Sequence, residues 1–100
     1  MRVVLCNVPP DHDERIARAL VEGKLAACVN IVPSVTSVYR WKGAIETGKE
    51  STLIIKTRDD LVDALSDAIR KIHPYEVPEI VVLQATANAA YAAWVDAETR

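Results

Sequence analysis

No apolar run in this 100-residue sequence approaches the roughly 18 residues that a membrane-spanning helix needs. Met1-Arg2-Val3-Val4-Leu5-Cys6 lacks the longer apolar region and small-residue cleavage site of a signal peptide, so a cytoplasmic protein is expected. There is no basic excess. The net charge is −2 and the pI near 5.6, whereas a nucleic-acid binder normally shows a basic face. The two cysteines, Cys6 and Cys28, form no Cys-x-x-Cys pair, and in a reducing compartment they stay as thiols. The chain has two histidines, no Gly-rich phosphate loop, no Ser/His/Asp set and no nucleophile elbow. No catalytic residue and no organic cofactor are therefore expected. Internal repeats, linkers and low-complexity segments are also missing.

What is present suits one modest core. The hydrophobic share is 50% and the charged share 26%, ordinary for a globular chain, and residues 1–100 read as a single domain. The dominant stretch is Ser34 to Thr57. Val35, Tyr39 and Trp41 alternate with Thr36, Val38 and Arg40, Lys42-Gly43 offers a turn, and a second β run ends in Ser51–Thr57. Each arm is about 10–12 residues, roughly twice the usual strand, and spans about 35–40 Å at about 3.3 Å per residue. A domain of this size has a radius of gyration of about 13 Å, so the hairpin outruns its own body. Its exposed edges and apolar side chains call for another chain, hence a homo-oligomer.

Taken in order, residues 2–8 read as a central strand, stopped by Pro9-Pro10. Asp11 with Glu14 has capping-box spacing, and Ile16, Ala19, Leu20 and Gly23 fall on one helical face with Gly23 as the stop. A second strand runs from Leu25 to Val32, with a kink or bulge at Pro33. Leu61, Leu65, Ile69 and Ile72 set a second helix, ended by Pro74. Glu79–Ala85 is the fourth strand, and Asn88 caps a short last helix that docks through Tyr91, Trp94 and Val95. The fold class is thus α+β: a ferredoxin-like β-α-β-β-α-β plan with an extended hairpin between strands two and three and a short C-terminal helix. The RNA-recognition module shares this order but stacks bases on aromatics of its central strands. This chain has no Phe and offers Val3, Leu5, Leu53 and Ile55 there.

Leu25-Ala26-Ala27-Cys28-Val29-Asn30-Ile31-Val32-Pro33, then Thr36–Gly43, Ile54–Thr57 and His73-Pro74-Tyr75-Glu76-Val77-Pro78-Glu79-Ile80 follow one another at spacings that resemble the CutA family of divalent-cation tolerance proteins. The resemblance covers essentially the whole chain. It implies a homotrimer, similar in architecture to the PII signalling proteins, linked to tolerance of copper and other divalent metals.

It also implies two sites. The first is a metal site through Cys6 and His73, taking Cu²⁺ or another divalent metal. The preceding histidine of that pattern is Ile72 here. Thiolate and imidazole are apt donors for such ions, although two fall short of a closed four-ligand site. The competing reading makes Cys6 a buried small hydrophobe and His73 a helix C-cap. The second is a cleft between subunits below the hairpin, gathering Trp41, Glu50, Lys56, Tyr75 and Glu76 for a small anionic or zwitterionic ligand. Against it, the same residues serve as interface anchors and an intersubunit ion pair. His12, between Asp11 and Asp13, is a solvated helix start, and Cys28 has no base beside it. The function expected is a binding and regulatory protein. The alternatives are a scaffold that docks onto another protein and an enzyme with an intersubunit site around Lys56, Tyr75 and Glu76.

Overall fold

Val4, Cys6 and Val8 are buried, while Val3, Leu5 and Asn7 are only half-buried, so β1 (Arg2–Val8) turns one face inward and one outward. The inward face meets Leu53 and Ile55 of β3 (Ala44–Thr57), Ile16 and Leu20 of α1 (Asp13–Glu22), and Leu65 and Ile69 of α2 (Val62–Ile72). Each such side chain contributes about 1.5–3 kcal/mol on leaving water. With β2 (Cys28–Trp41) and β4 (Val81–Gln84), the computed structural model forms an antiparallel sheet in the order β2-β3-β1-β4 and describes residues 1–100. This is the ferredoxin-like arrangement, with strands one and three central and α1 and α2 on one face. A third helix, α3 (Ala89–Glu98), follows β4.

The hairpin has the expected form. Trp41 pairs with Ala44 across a two-residue turn in which Lys42 and Gly43 take φ of 50° and 84°. Two positive φ values give the turn whose twist matches that of the strands. Pairing shifts between Val32 and Val35, so Pro33 and Ser34 together oppose Ser51, and Ser34 has a φ of 60°. Pro33 has no N–H to give the ladder, which is why the bulge falls there. Both arms run 14 residues, and the molecule measures 44 × 24 × 21 Å.

Helix ends differ from expectation. Pro10–His12 form a 3₁₀ turn, so α1 starts at Asp13 and Asp11 caps nothing. Proline fixes the φ of that turn, and the first helical N–H reached by a carboxylate is that of Glu14, bonded to Asp13 Oδ1 at 2.6 Å. The other oxygen of Asp13 accepts from the buried Ser51 hydroxyl at 2.7 Å. Ala17, not Ala19, joins the buried face of α1. At the far end the left-handed residue is Lys24, at a φ of 57°, and not Gly23. Leu25 N–H reaches Leu20 O and Lys24 N–H reaches Val21 O, the two bonds of a Schellman motif. Residues 25–27 then connect, and β2 begins at Cys28, not Leu25; β4 is likewise shorter than expected.

The outer face of the sheet is partly roofed. Asn88 caps α3 through Tyr91 N–H at 2.8 Å, Val95 is fully buried, and Tyr91 lies against Cys28 at the Arg2–Thr57 end. Trp94, expected to dock, remains exposed. No helix is long and apolar enough to cross a membrane.

Candidate ligand cavity

Because β1 stops at Val8, opposite Ser51, the arm beyond it has a partner strand on one side only. After the bulge Val35 stands opposite Glu50, so Ser37, Tyr39 and Trp41 share a face with Glu50. The segment after α2 supplies the opposite wall. Between them lies a cavity of about 650 Å³, lined by Asn7 and Glu50, by Tyr39 and Trp41 with their neighbours, and by the Pro74–Val77 run and Glu79. That is the size range of small-ligand sites.

A closed ring of hydrogen bonds holds this wall. Asn7 Nδ2 donates to Glu50 Oε1 at 3.4 Å, and Tyr75 OH donates to Glu50 Oε2 at 2.7 Å. Tyr75 N–H donates to His73 Nδ1 at 3.1 Å, and His73 Nε2 lies 2.8 Å from Asn7 O. Nδ1 therefore accepts, and Nε2 carries the proton and donates. Thr52 extends the ring by donating to Asn7 Oδ1 at 2.7 Å. Burial, then the bond to Glu50, raises the Tyr75 hydroxyl above its ordinary pKa.

The cavity brings together Trp41, Glu50, Tyr75 and Glu76 but not Lys56. Even spacing does put Lys56 on Glu50's face, yet six residues along a strand is about 20 Å. Its ammonium instead hydrogen-bonds to Asn30 Oδ1 and stands 3.9 Å from Cys28 Sγ. In its place the walls hold Tyr39, Asn7 and Glu79, which sequence reasoning passed over. Asn7, a polar residue within the apolar run from Val3 to Val8, is the signal available. Glu79 reads as the start of a strand. Only the loop's path brings it to the cavity. Burial and then Glu50's charge push the Glu79 carboxyl above the usual range.

Cys6 and His73 meet at one carbonyl. Cys6 Sγ lies 3.9 Å from Asn7 O, which also accepts from His73. Both side chains are buried. Burial, reinforced by Glu79 and Glu50, pushes the Cys6 thiol up to about 12. Both ring nitrogens are engaged and the thiol pKa is raised, so a metal held by this pair would have to displace the thiol proton and free a ring nitrogen. No group of three or more His, Cys, Asp or Glu side chains converges as metal ligands.

A ferredoxin-like sheet, an overhanging hairpin and a ligand-sized cavity at its root define a small α+β protein with a concave site where hairpin and body meet. Residues 2–98 match the family model described as CutA1 divalent ion tolerance protein, and the chain belongs to that family. It is 51% identical over 83 residues to the human "Protein CutA", covering 82% of this chain and 46% of that protein, so it spans about half the length of that curated relative. Among solved structures it resembles the "PII-like protein CutA from Nostoc sp. PCC 7120 in apo form", with a TM-score of 0.94 and 44% identity over 100% of this chain and 98% of that one. It equally resembles the divalent cation tolerance protein of Thermus thermophilus, with a TM-score of 0.95 and 45% identity over 100% of both chains. The family is named for tolerance, not for a reaction.

Proposed function

We propose that this chain acts as a cytoplasmic, non-catalytic homotrimer, a regulatory protein that binds a small ligand in cavities between its subunits and so serves divalent-metal tolerance. One observation carries the reading: the cavity opens beside apolar surface that a lone chain leaves wet. Val38, Ile45 and Val77 are 67%, 61% and 67% exposed, and β4 presents Val81, Val82 and Leu83 on an unpaired edge. Patches of this kind mark association surfaces, and copies that cover them would close the cavity's open side. Sedimentation equilibrium at micromolar concentration is expected to return three times the chain mass. A monomer mass overturns the reading.

A metal function has its own support in the meeting of Cys6 and His73 at Asn7 O. An exchangeable metal would displace the thiol proton and free a ring nitrogen, so its affinity would rise with pH. The test is a calorimetric titration of Cu²⁺ into reduced protein, wild type against His73→Ala and Cys6→Ser. A saturable site lost in both variants is expected. Binding that survives both overturns a direct metal role for the pair.

A further inference from the structure

We infer that the cavity at the hairpin root receives an organic ammonium ion carried on a small apolar body. This rests on the reading that the cavity is a ligand site, and it names the ligand's chemistry. Glu50, Glu76 and Glu79 all reach the walls, and no Lys or Arg does. Of this chain's own side chains, an anion entering there would meet three carboxylates, and the one ammonium nearby, that of Lys42, stays on the turn at the Trp41 ring.

A bare metal ion suits the walls poorly, because the carboxylates do not converge on a single point. Both of Glu50's carboxylate oxygens already accept, one from Asn7 and one from Tyr75. What remains is acidic charge spread around a space of about 650 Å³. Such a space suits a cation with a body, not a point charge.

The rest of the lining fits that body. Tyr39, Trp41 and Tyr75 contribute aromatic surface, and Val38, Pro74 and Val77 contribute apolar surface. Rings together with carboxylates are the usual means of holding alkylammonium groups, since the ring face carries partial negative charge. Trp41 already shows the contact within the chain: Lys42 Nζ stands 5.6 Å from its ring centroid, on the hairpin turn. A bound cation would also relieve the repulsion between Glu50 and Glu79, which acts beside burial to raise the Glu79 carboxyl above its ordinary value.

Three probes that share one body and differ in charge test the assignment: phenethylamine, 2-phenylethanol and 3-phenylpropionate. They are titrated by calorimetry into the assembled protein at low salt. The amine is expected to bind about ten-fold or more tighter than the alcohol, the worth of one favourable charge contact, and the carboxylate more weakly than either. Glu76→Gln and Glu79→Gln each lower amine affinity about ten-fold and leave alcohol binding unchanged, while Trp41→Ala weakens both. Neither Glu variant touches the hydrogen-bond ring, so unchanged sedimentation and circular dichroism separate a lost contact from a lost fold. Equal affinity for all three probes, or preference for the carboxylate, overturns the ammonium assignment and leaves the cavity a ligand site. Absence of binding by all three overturns the ligand site as well.

Discussion

Tyr75 donates its hydroxyl to Glu50 Oε2 at 2.7 Å, which ties the segment after α2 to the root of the hairpin arm. The same tyrosine gives its backbone N–H to His73, so one residue closes both sides of the ring that runs through Asn7. Removing the hydroxyl in Tyr75→Phe leaves Glu50 short of a donor, in a partly solvated place that limits the loss. The expected cost is about 1 kcal/mol. A double-mutant cycle with Glu50→Gln, read by urea unfolding at fixed protein concentration, should give a coupling of about 0.5–1 kcal/mol. Strict additivity would show that the contact does not organise the wall.

Glu79 sets a pH dependence. Burial and then Glu50's charge raise its folded pKa above the ordinary value of 4.5. The folded state thus holds this proton more tightly than the unfolded chain does. Its stabilising contribution is present below the unfolded pKa and is lost as pH rises through the folded one. Glu79→Gln, which cannot ionise, should melt higher than the wild type at pH 7, with the gap shrinking toward pH 4. Glu79 is exposed along much of its length, so screening keeps the effect small. A gap that is constant from pH 4 to pH 7 would remove the electrostatic explanation.

Legibility in the sequence followed the range of each signal. Local chemistry was readable: the Lys42-Gly43 turn, the interruption at Pro33, the Leu61–Ile72 periodicity and the Asn88 cap each depend on a few adjacent residues. So was the α+β order, because strand and helix periods differ. The start of α1 was misread because two acids compete for it, and Pro10 settles the contest through a turn whose geometry the spacing does not encode. Lys56 was placed in the cavity because alternation reports the face of a strand and not the position along it. Glu79 was missed because its arrival depends on where β1 ends and how the 73–79 segment crosses that end. Both are tertiary facts, seen in the bonds that join Asn7, His73 and Tyr75.

Lys24 offers a stabilising change. It holds the left-handed position of the Schellman motif at a φ of 57°, where a Cβ is unfavourable. Both capping bonds come from backbone N–H groups, those of Lys24 and Leu25, so they persist without the side chain. The carbonyl of Lys24 also accepts from Arg100 N–H at 3.1 Å, again through backbone alone. Lys24→Gly is therefore expected to raise stability by about 0.5–1 kcal/mol, the strain relieved less the entropy that glycine adds to the unfolded chain. Chemical denaturation checks this, with Lys24→Ala as the control that keeps the Cβ and gains nothing. Equal gains in both would point to the lysine's charge and not to its backbone angle.

The two thiols should differ sharply in reactivity. Cys6 is fully buried among Val4, Val8, Leu53 and Ile69, and its thiol is pushed up to about 12. Only the thiolate attacks a disulfide reagent, and at pH 8 that value leaves roughly one thiol in ten thousand ionised. Cys28 is half-buried on the outer face, 3.9 Å from the Lys56 ammonium. An aromatic disulfide reagent at pH 8 should modify Cys28 first and leave Cys6 intact until denaturant is added. Cys28→Ser should then show no fast phase, and Cys6→Ser an unaltered one. The same experiment bears on metal handling. If Cu²⁺ does reach Cys6 by displacing its proton, prior loading should slow modification of Cys6 at denaturant concentrations below the unfolding midpoint and leave the Cys28 phase untouched. Equal fast rates for both thiols in the native protein would mean that the β1 face opens readily. The buried Cys6–His73 arrangement would then not describe the working state.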